Sequence, residues 1–156
     1  MGKVEKIAKF TVFVHDVLSG PSATVVEVAR ASITSTSPSS FGLVRVLDDS
    51  MTVEPDPSSY ELGRAQGIAT SADKEESSLC MNIVFMFTGG EYKGGTLSIV
   101  GRRSLVYGDS EVPVVGGTGI FRGARGYAVA NTYSEDAATG NYVMRYDMHV
   151  VYPAEE

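Results

Sequence analysis

The chain is poor in cysteine, in clustered positive charge and in long apolar runs. Cys80 is the only cysteine among 156 residues, so no disulfide can form within the chain. The 13 Lys and Arg face 19 Asp and Glu, and no basic cluster offers a surface for nucleic-acid phosphates. No apolar run is long enough for a transmembrane helix, and no secretory signal is recognisable. These absences favour a cytoplasmic protein that binds neither nucleic acid nor membrane.

Motifs of nucleotide-binding, hydrolytic and metal sites are also missing. The glycines of segment 116–126 are spaced GxGxxxG instead of GxGxxG, and no βαβ unit surrounds them. Neither GxxxxGK[ST] nor GxSxG occurs. His15 and His149 lack ligand-like spacing with Cys80, so each is expected to be a satisfied surface or interface residue. No metal site and no cofactor are predicted.

Strand-forming residues dominate the chain from end to end. Runs rich in Val, Ile, Phe, Tyr and Thr alternate with turn-forming segments, and no stretch repeats apolar residues every three to four positions. This pattern predicts one all-β domain over 1–156, with strands near 6–17, 23–34, 41–49, 60–73, 78–88, 95–103, 112–132 (broken by its glycines) and 141–152. Short connections favour a closed eight-stranded antiparallel barrel, because closure removes exposed edges. A β-sandwich is the alternative.

Alternation along the first and last strands predicts which side chains face the barrel interior. One side of the last strand carries Tyr142, Met144, Tyr146, Met148 and Val150, and one side of the first carries Phe10, Val12, Val14 and Asp16. Asp16 therefore ends an apolar row and is a candidate for the mouth of a pocket. Alternatively, Asp16 caps the turn that follows it. Cys80, between Leu79 and Met81, is expected to be a buried thiol.

Other polar residues near strand ends are candidates for binding. Asp48 and Asp49 are neighbours, so one carboxylate would face inward and the other outward. The arginines near strand ends are expected mostly to pair with surface carboxylates; they are Arg64, Arg102, Arg103, Arg122 and Arg125. The tyrosines in or beside loops could stack on a sugar or a phenolic ring; they are Tyr92, Tyr107 and Tyr133.

Five motifs, in order, resemble the plant dirigent family over roughly residues 9–152. They are FTVFVHDVLSG, FGLVRVLDD, LGRAQG, MNIVFMFTGGEYKGGTLSIVGR and VPVVGGTGIFRGARGYA. The resemblance implies an eight-stranded barrel of the allene-oxide-cyclase-like type, commonly assembled as a homotrimer. Family members with known activity bind phenolic radicals or quinone methides and steer their coupling or cyclisation. They use no redox cofactor of their own, and an oxidase supplies the radicals.

The resemblance carries over only part of the family's pocket. The aspartate of its HD motif corresponds to Asp16. A second pocket aspartate falls at Arg103, and a pocket arginine falls at Ser110. A guanidinium in place of a carboxylate removes a proton donor, which argues against catalysis. If the alignment through YGDSE shifts by a residue or two, Asp109 and Glu111 take these places.

The chain is most similar to the dirigent-like N-terminal module of monocot proteins that fuse a dirigent domain to a jacalin-type lectin. That similarity rests on the missing leader and the missing cysteine pair. It implies a cytoplasmic plant-defence protein, a homo-oligomer (trimer or dimer) and a jacalin-type lectin domain after residue 156.

We therefore expect a carbohydrate-binding module that recognises a small glycan at the barrel mouth without catalysis. The residues expected to bind are Asp16, Asp48, Arg64, Arg103, Tyr107, Asp109 and Tyr146. The alternative is a dirigent protein that steers phenolic coupling or cyclisation, with Asp16 as its pocket acid. A third possibility is a structural domain whose barrel is packed shut.

Overall fold

The computed structural model describes residues 4–154, and antiparallel strands make up most of it. The strands are β1 Glu5–Asp16, β2 Val25–Ala29, β3 Val44–Thr52, β4 Glu61–Thr70, β5 Ser78–Phe87, β6 Thr96–Ser104, β7 Ser110–Thr118, β8 Arg125–Asp136 and β9 Asn141–Pro153. Single 3-10 turns occur at Thr34–Thr36 and Gly119–Phe121. Within residues 4–154, no helix has the length and apolar character needed to cross a membrane.

The sheet closes into a barrel because β1 pairs with both β9 and β3. From β3 to β9, each strand is antiparallel to the next, and the β1–β3 pairing completes a ring of eight. β2 continues along the edge of β3 where β1 ends, pairing Val25 with Leu47. The expected eight-stranded antiparallel barrel is confirmed, although its strands are not all those expected from the sequence.

Two of the expected strands were wrong. The strand expected over 23–34 ends at Ala29, because the backbone of the following loop forms hydrogen bonds within the loop. The Thr34 hydroxyl accepts a hydrogen bond from Ala31 N and donates one to Phe41 O. The strand expected over 112–132, broken by its glycines, is two separate strands, β7 and β8. Gly119, at φ +62°, starts the turn between them, and Arg122 N closes it by donating to Gly119 O.

The alternation expected for the first and last strands is present in the barrel. Met144, Tyr146, Met148 and Val150 are buried on one side of β9, and Val12 and Val14 are buried on β1. At the end of the barrel where β5 meets β6, five aromatic rings pack together: Phe10, Phe87, Tyr92, Phe121 and Tyr152. This aromatic cluster fills that end of the barrel.

Cys80 is exposed, so the expectation of a buried thiol was wrong. Its neighbours Leu79 and Met81 do pack against the core. Because side chains alternate along a strand, two inward neighbours require the residue between them to point outward.

Candidate functional site

A cavity of about 490 Å³ occupies the end of the barrel opposite the aromatic cluster. That volume suits one small ligand. Much of its wall is apolar, with Val14, Leu47, Met81, Ile83 and Met144 among the lining residues. The polar lining residues are Asp16, Arg45, Asp49, Arg103, Thr132, Glu135, Tyr142 and Tyr146. The interpretation of a barrel packed shut was therefore wrong.

Two carboxyl groups meet in this cavity at the seam that closes the barrel. The β1–β3 register pairs Val14 with Met51 and His15 with Ser50, so the next position brings Asp16 beside Asp49. Both residues line the cavity, and Asp49 is completely buried. The seam therefore places two acids from distant parts of the sequence side by side.

Asp49 holds a proton at neutral pH. Burial, together with the hydrogen bond and the negative charge of Asp16, raises the pKa of Asp49 to about 10. Its Oδ1 accepts a hydrogen bond of 2.6 Å from Thr24 Oγ1. Its buried Oδ2 has no donor among the described residues, and protonation turns this atom into a hydroxyl that can donate to Asp16. The protonated form of Asp49 is therefore favoured beside Asp16.

Arg103 brings a positive charge to the same cavity. It is 7% exposed, and its Nη2 donates to Thr132 Oγ1 at 2.7 Å. Burial lowers the pKa of Arg103, while Tyr146 and Asp16 act in the opposite direction. Tyr146 is itself buried, and burial followed by the charge of Asp16 raises its pKa, so its phenol is neutral.

The rim of the cavity is polar and partly paired. The Tyr142 hydroxyl donates to Glu135 Oε1 at 3.1 Å. Arg45 Nη2 lies 3.7 Å from Oε1 of Glu27. These exposed contacts contribute little stability, but they surround the opening with groups that prefer water.

Of the residues expected to bind, Asp16, Arg103 and Tyr146 line the cavity. Tyr107 and Asp109 lie instead in a second recess of about 330 Å³, formed by the loop between β6 and β7. The recess shares Arg103 and Thr132 with the main cavity. Five of the seven expected residues are thus close to one another.

Asp48 and Arg64 lie on the outside of the barrel and line neither the main cavity nor the recess, so the structure does not bring them to the other residues expected to bind. Arg64 Nε donates to Asp48 Oδ1 at 3.0 Å, and both side chains are partly exposed. The physical reason is the register of β3, which turns Leu47, Asp49 and Met51 inward and Asp48 outward. The acid that belongs in the site is Asp49. Leu47 and Met51, two residues to either side of Asp49, are apolar, and this alternation in the sequence indicates that Asp49 faces inward.

Asp16 does not cap the turn that follows it. The backbone N–H of Val17 donates to Thr24 Oγ1 at 3.0 Å, and that of Leu18 donates to Asn141 Oδ1 at 3.1 Å. Ser110 lies outside the cavity lining, and its Oγ accepts from Ser104 N at 3.1 Å. Ser110 therefore stabilises the connection between β6 and β7 and does not line the cavity.

Both histidines are structural. His15 is buried, contrary to a surface position, and its Nε2 lies 2.7 Å from Thr52 Oγ1. Because the Thr52 hydroxyl donates to Glu54 O, Nε2 of His15 must be the donor to Thr52. His149 stacks on Tyr127 at 4.6 Å between ring centroids. Residues 4–154 contain no group of three or more His, Cys, Asp or Glu placed to hold a metal ion.

Fold and site together define a closed β-barrel with a largely apolar cavity that contains two adjacent carboxyl groups and a buried guanidinium. Residues 7–151 match the sequence model of the family described as dirigent-like protein. The chain belongs to the dirigent family.

Several known proteins are similar over nearly the whole chain. Dirigent protein 23 of Arabidopsis thaliana is 42% identical over 95% of this chain and 79% of its own length. Pterocarpan synthase 1 of Glycine max is 40% identical over 94% of this chain and 79% of its own. A solved pterocarpan synthase dirigent protein superposes with a TM-score of 0.91 at 39% identity, covering 99% of this chain and 94% of that one. These similarities do not support a jacalin-type partner domain or a glycan ligand, and both stay predictions.

Proposed function

We propose that this chain steers the stereochemistry of a phenolic intermediate as it cyclises or couples inside the barrel. The observation that carries the proposal is that Asp16 and Asp49 lie side by side in a largely apolar cavity of about 490 Å³, where burial and the neighbouring Asp16 raise the pKa of Asp49. Membership of the dirigent family supports it, as does the similarity to pterocarpan synthase dirigent proteins. Of the two functions expected from the sequence, the phenolic one fits the site better.

Two carboxyl groups side by side, of which Asp49 has the raised pKa, suit the cyclisation of a quinone methide that carries a pendant hydroxyl group. Asp49 donates its proton to the quinone methide's carbonyl oxygen, which becomes a phenol. The pendant oxygen bonds to the methide carbon, and Asp16 takes its proton. The reaction is an isomerisation in which one C–O bond forms and no electrons are lost, so it needs no oxidant. Transfer of that proton from Asp16 to Asp49 restores the pair.

Stereochemical control follows from the uneven wall of the cavity. Asp16 lies on β1, whereas Arg103 lies on β6, four strands away in either direction around the ring of eight. A flat intermediate held between these polar groups and the apolar wall presents one face to the acids. Attack on that face alone gives one enantiomer.

The geometry gives less support to a glycan. Sugar binding commonly uses an exposed aromatic ring as a platform beside polar groups. Tyr92 packs in the aromatic cluster at the other end of the barrel, and Tyr133 packs edge-on against Phe13 at 5.4 Å. Tyr107 is exposed but lines the neighbouring recess. None of these three tyrosines lines the main cavity.

The proposal is tested by following product chirality. Coniferyl alcohol oxidised by an added oxidase, and a quinone-methide precursor with a pendant hydroxyl, are each converted with and without the protein and separated by chiral chromatography. We expect an enantiomeric excess with at least one substrate that rises with protein concentration. Racemic product from both at saturating protein contradicts the proposal. Titration with neutral disaccharides by calorimetry runs in parallel, and binding there with racemic product favours the glycan function.

A further inference from the structure

Arg103 is a buried charge whose hydrogen bonds are largely unused. Its guanidinium has five N–H donors, and the described residues satisfy one of them through Thr132. Its buried Nε has no partner among those residues. A buried polar group without a partner destabilises a fold, and an unpaired buried charge does so more strongly. The side chain is therefore placed for a partner that the described chain does not supply.

The neighbouring arginine shows the usual alternative. Arg102 points outward on the same strand, where its Nη2 lies 3.0 Å from Asp73 Oδ2 and also pairs with Glu76. No acidic side chain within residues 4–154 forms such an ion pair with Arg103. Asp16 attracts Arg103 electrostatically, but no ion pair between them is present within the described residues, and Asp16 lies beside Asp49.

We propose that Arg103 and Thr132 form a subsite for a carboxylate, so the ligand of the cavity is a phenolic acid in its ionised form. The Nε edge of a guanidinium presents two parallel N–H groups that match the two oxygens of a carboxylate. The phenolic part of this inference rests on the proposed function, whereas the carboxylate part rests on Arg103 alone.

The position of the subsite fits such a ligand. Arg103 and Thr132 line both the main cavity and the recess beneath the loop between β6 and β7. A ligand can therefore keep its ring against the apolar wall while its carboxylate lies at the junction. A free phenol is neutral at pH 7, since its pKa is near 10, whereas a carboxylic acid is ionised. The carboxylate is thus the better match for a permanent positive charge.

Matched ligands test the subsite on the intact protein. The probes are ferulate, methyl ferulate and 3,4-dimethoxycinnamate, each titrated at pH 7 by calorimetry. Ferulate and its ester share the ring and the phenol, whereas dimethoxycinnamate keeps the carboxylate and lacks the phenol. We expect both carboxylates to bind at least about tenfold more tightly than the ester, because a hydrogen bond to a charged group contributes a free energy of that size.

Variants assign that preference to one side chain. Arg103→Met should abolish it, and Arg103→Lys should retain part of it, because a lysine keeps the charge without the planar edge. Arg102→Met is the matched control on the outer face and should keep the full preference. Preference that survives in Arg103→Met contradicts the subsite.

The titrations of the wild-type protein alone can also overturn the proposed carboxylate subsite. Equal affinity for ferulate and methyl ferulate would contradict recognition of the carboxylate. An absence of ferulate binding at millimolar concentration would contradict it as well. Tighter binding of both ferulate and methyl ferulate than of 3,4-dimethoxycinnamate would show that the phenol, not the carboxylate, is recognised. Chiral product from a neutral substrate with no carboxylate preference leaves the proposed function standing and the subsite refuted. Racemic product together with an Arg103-dependent preference for the carboxylate would refute the proposed function and leave the subsite standing.

Discussion

Asp16 and Asp49 stand side by side at the seam where β1 and β3 close the barrel, one residue beyond the pair His15 and Ser50. Closure of the fold and assembly of the acid pair are therefore the same structural event. Asp49 is completely buried, and Asp16 lies beside it at the cavity wall. The stability of the barrel and its proposed chemistry both depend on the proton that Asp49 holds.

The proton on Asp49 should make stability fall as pH rises. The pKa of Asp49 is raised in the folded chain, so above about pH 3.9 the unfolded chain has lost a proton that the folded chain keeps. The unfolded state then binds fewer protons, and the free energy of unfolding decreases by up to about 1.4 kcal/mol per pH unit. Asp49→Asn removes this dependence, so its stability relative to wild type should increase steadily from pH 5 to pH 8.

Urea denaturation at each pH measures that difference. Asp48→Asn is the control, because Asp48 is exposed and Arg64 lowers its pKa. The stabilisation from a lowered carboxyl pKa is present above the ordinary value and is lost only in acid. Asp48→Asn should therefore show a constant difference from wild type between pH 5 and pH 8. The same flat line for Asp49→Asn would mean that Asp49 is ionised in the fold.

Thr24 should stabilise the seam through its hydroxyl. That hydroxyl donates to Asp49 Oδ1 at 2.6 Å and accepts from Val17 N at 3.0 Å. Thr24→Val keeps the shape but leaves both groups unpaired, so it should lower the free energy of unfolding by about 1–3 kcal/mol. It should also raise the pKa of Asp49 further, because the bond from Thr24 lowers that pKa.

Thr24→Ser is the matched comparison, since it keeps the hydroxyl and removes only a methyl group. We expect it to be more stable than Thr24→Val in urea denaturation at pH 7. A valine variant as stable as the serine variant would show that the hydroxyl does not hold the seam.

Adjacent glycines in the VVGGTG run should differ in their tolerance of alanine. A Cβ at Gly117 would lie 2.6 Å from the backbone oxygens of Thr96 and Phe121, whereas a Cβ at Gly116 meets nothing within 4 Å. Backbone cannot move aside as a flexible side chain can, so Gly117→Ala should destabilise the barrel by about 2 kcal/mol or more. Gly116→Ala should change stability by less than about 1 kcal/mol. Thermal unfolding of the two variants compares them, and equal melting temperatures would contradict the close contact.

Local patterns in the sequence predicted the barrel better than its strand boundaries. Alternation in β1 and β9 identified the interior face, because a period of two is a local property. The same propensities missed the turn at Gly119–Phe121, which joins two β-type runs, and overextended β2 past Ala29. Strand propensity alone does not register where the chain must turn back to pair with its neighbour.

The site was predictable only in part, for a related reason. Asp16 could be placed at a pocket because it ends an apolar row on its own strand. The apolar residues Leu47 and Met51 indicate that Asp49 faces inward, but its pairing with Asp16 depends on the register between β1 and β3, which is not a local property of the sequence. Arg103 was expected beside the pocket, but its unpaired Nε depends on packing between strands.

The most direct test of the proposed chemistry compares two adjacent acids on β3. Asp49→Asn and Asp48→Asn make the same substitution at positions that face the cavity and the outside, respectively. With a substrate that wild type converts enantioselectively, we expect Asp48→Asn to keep the wild-type enantiomeric excess and rate. Asp49→Asn should lose about a hundredfold or more in rate, as the loss of a general acid implies, and the remaining product should approach a racemate. Full rate and chirality in Asp49→Asn would contradict the account.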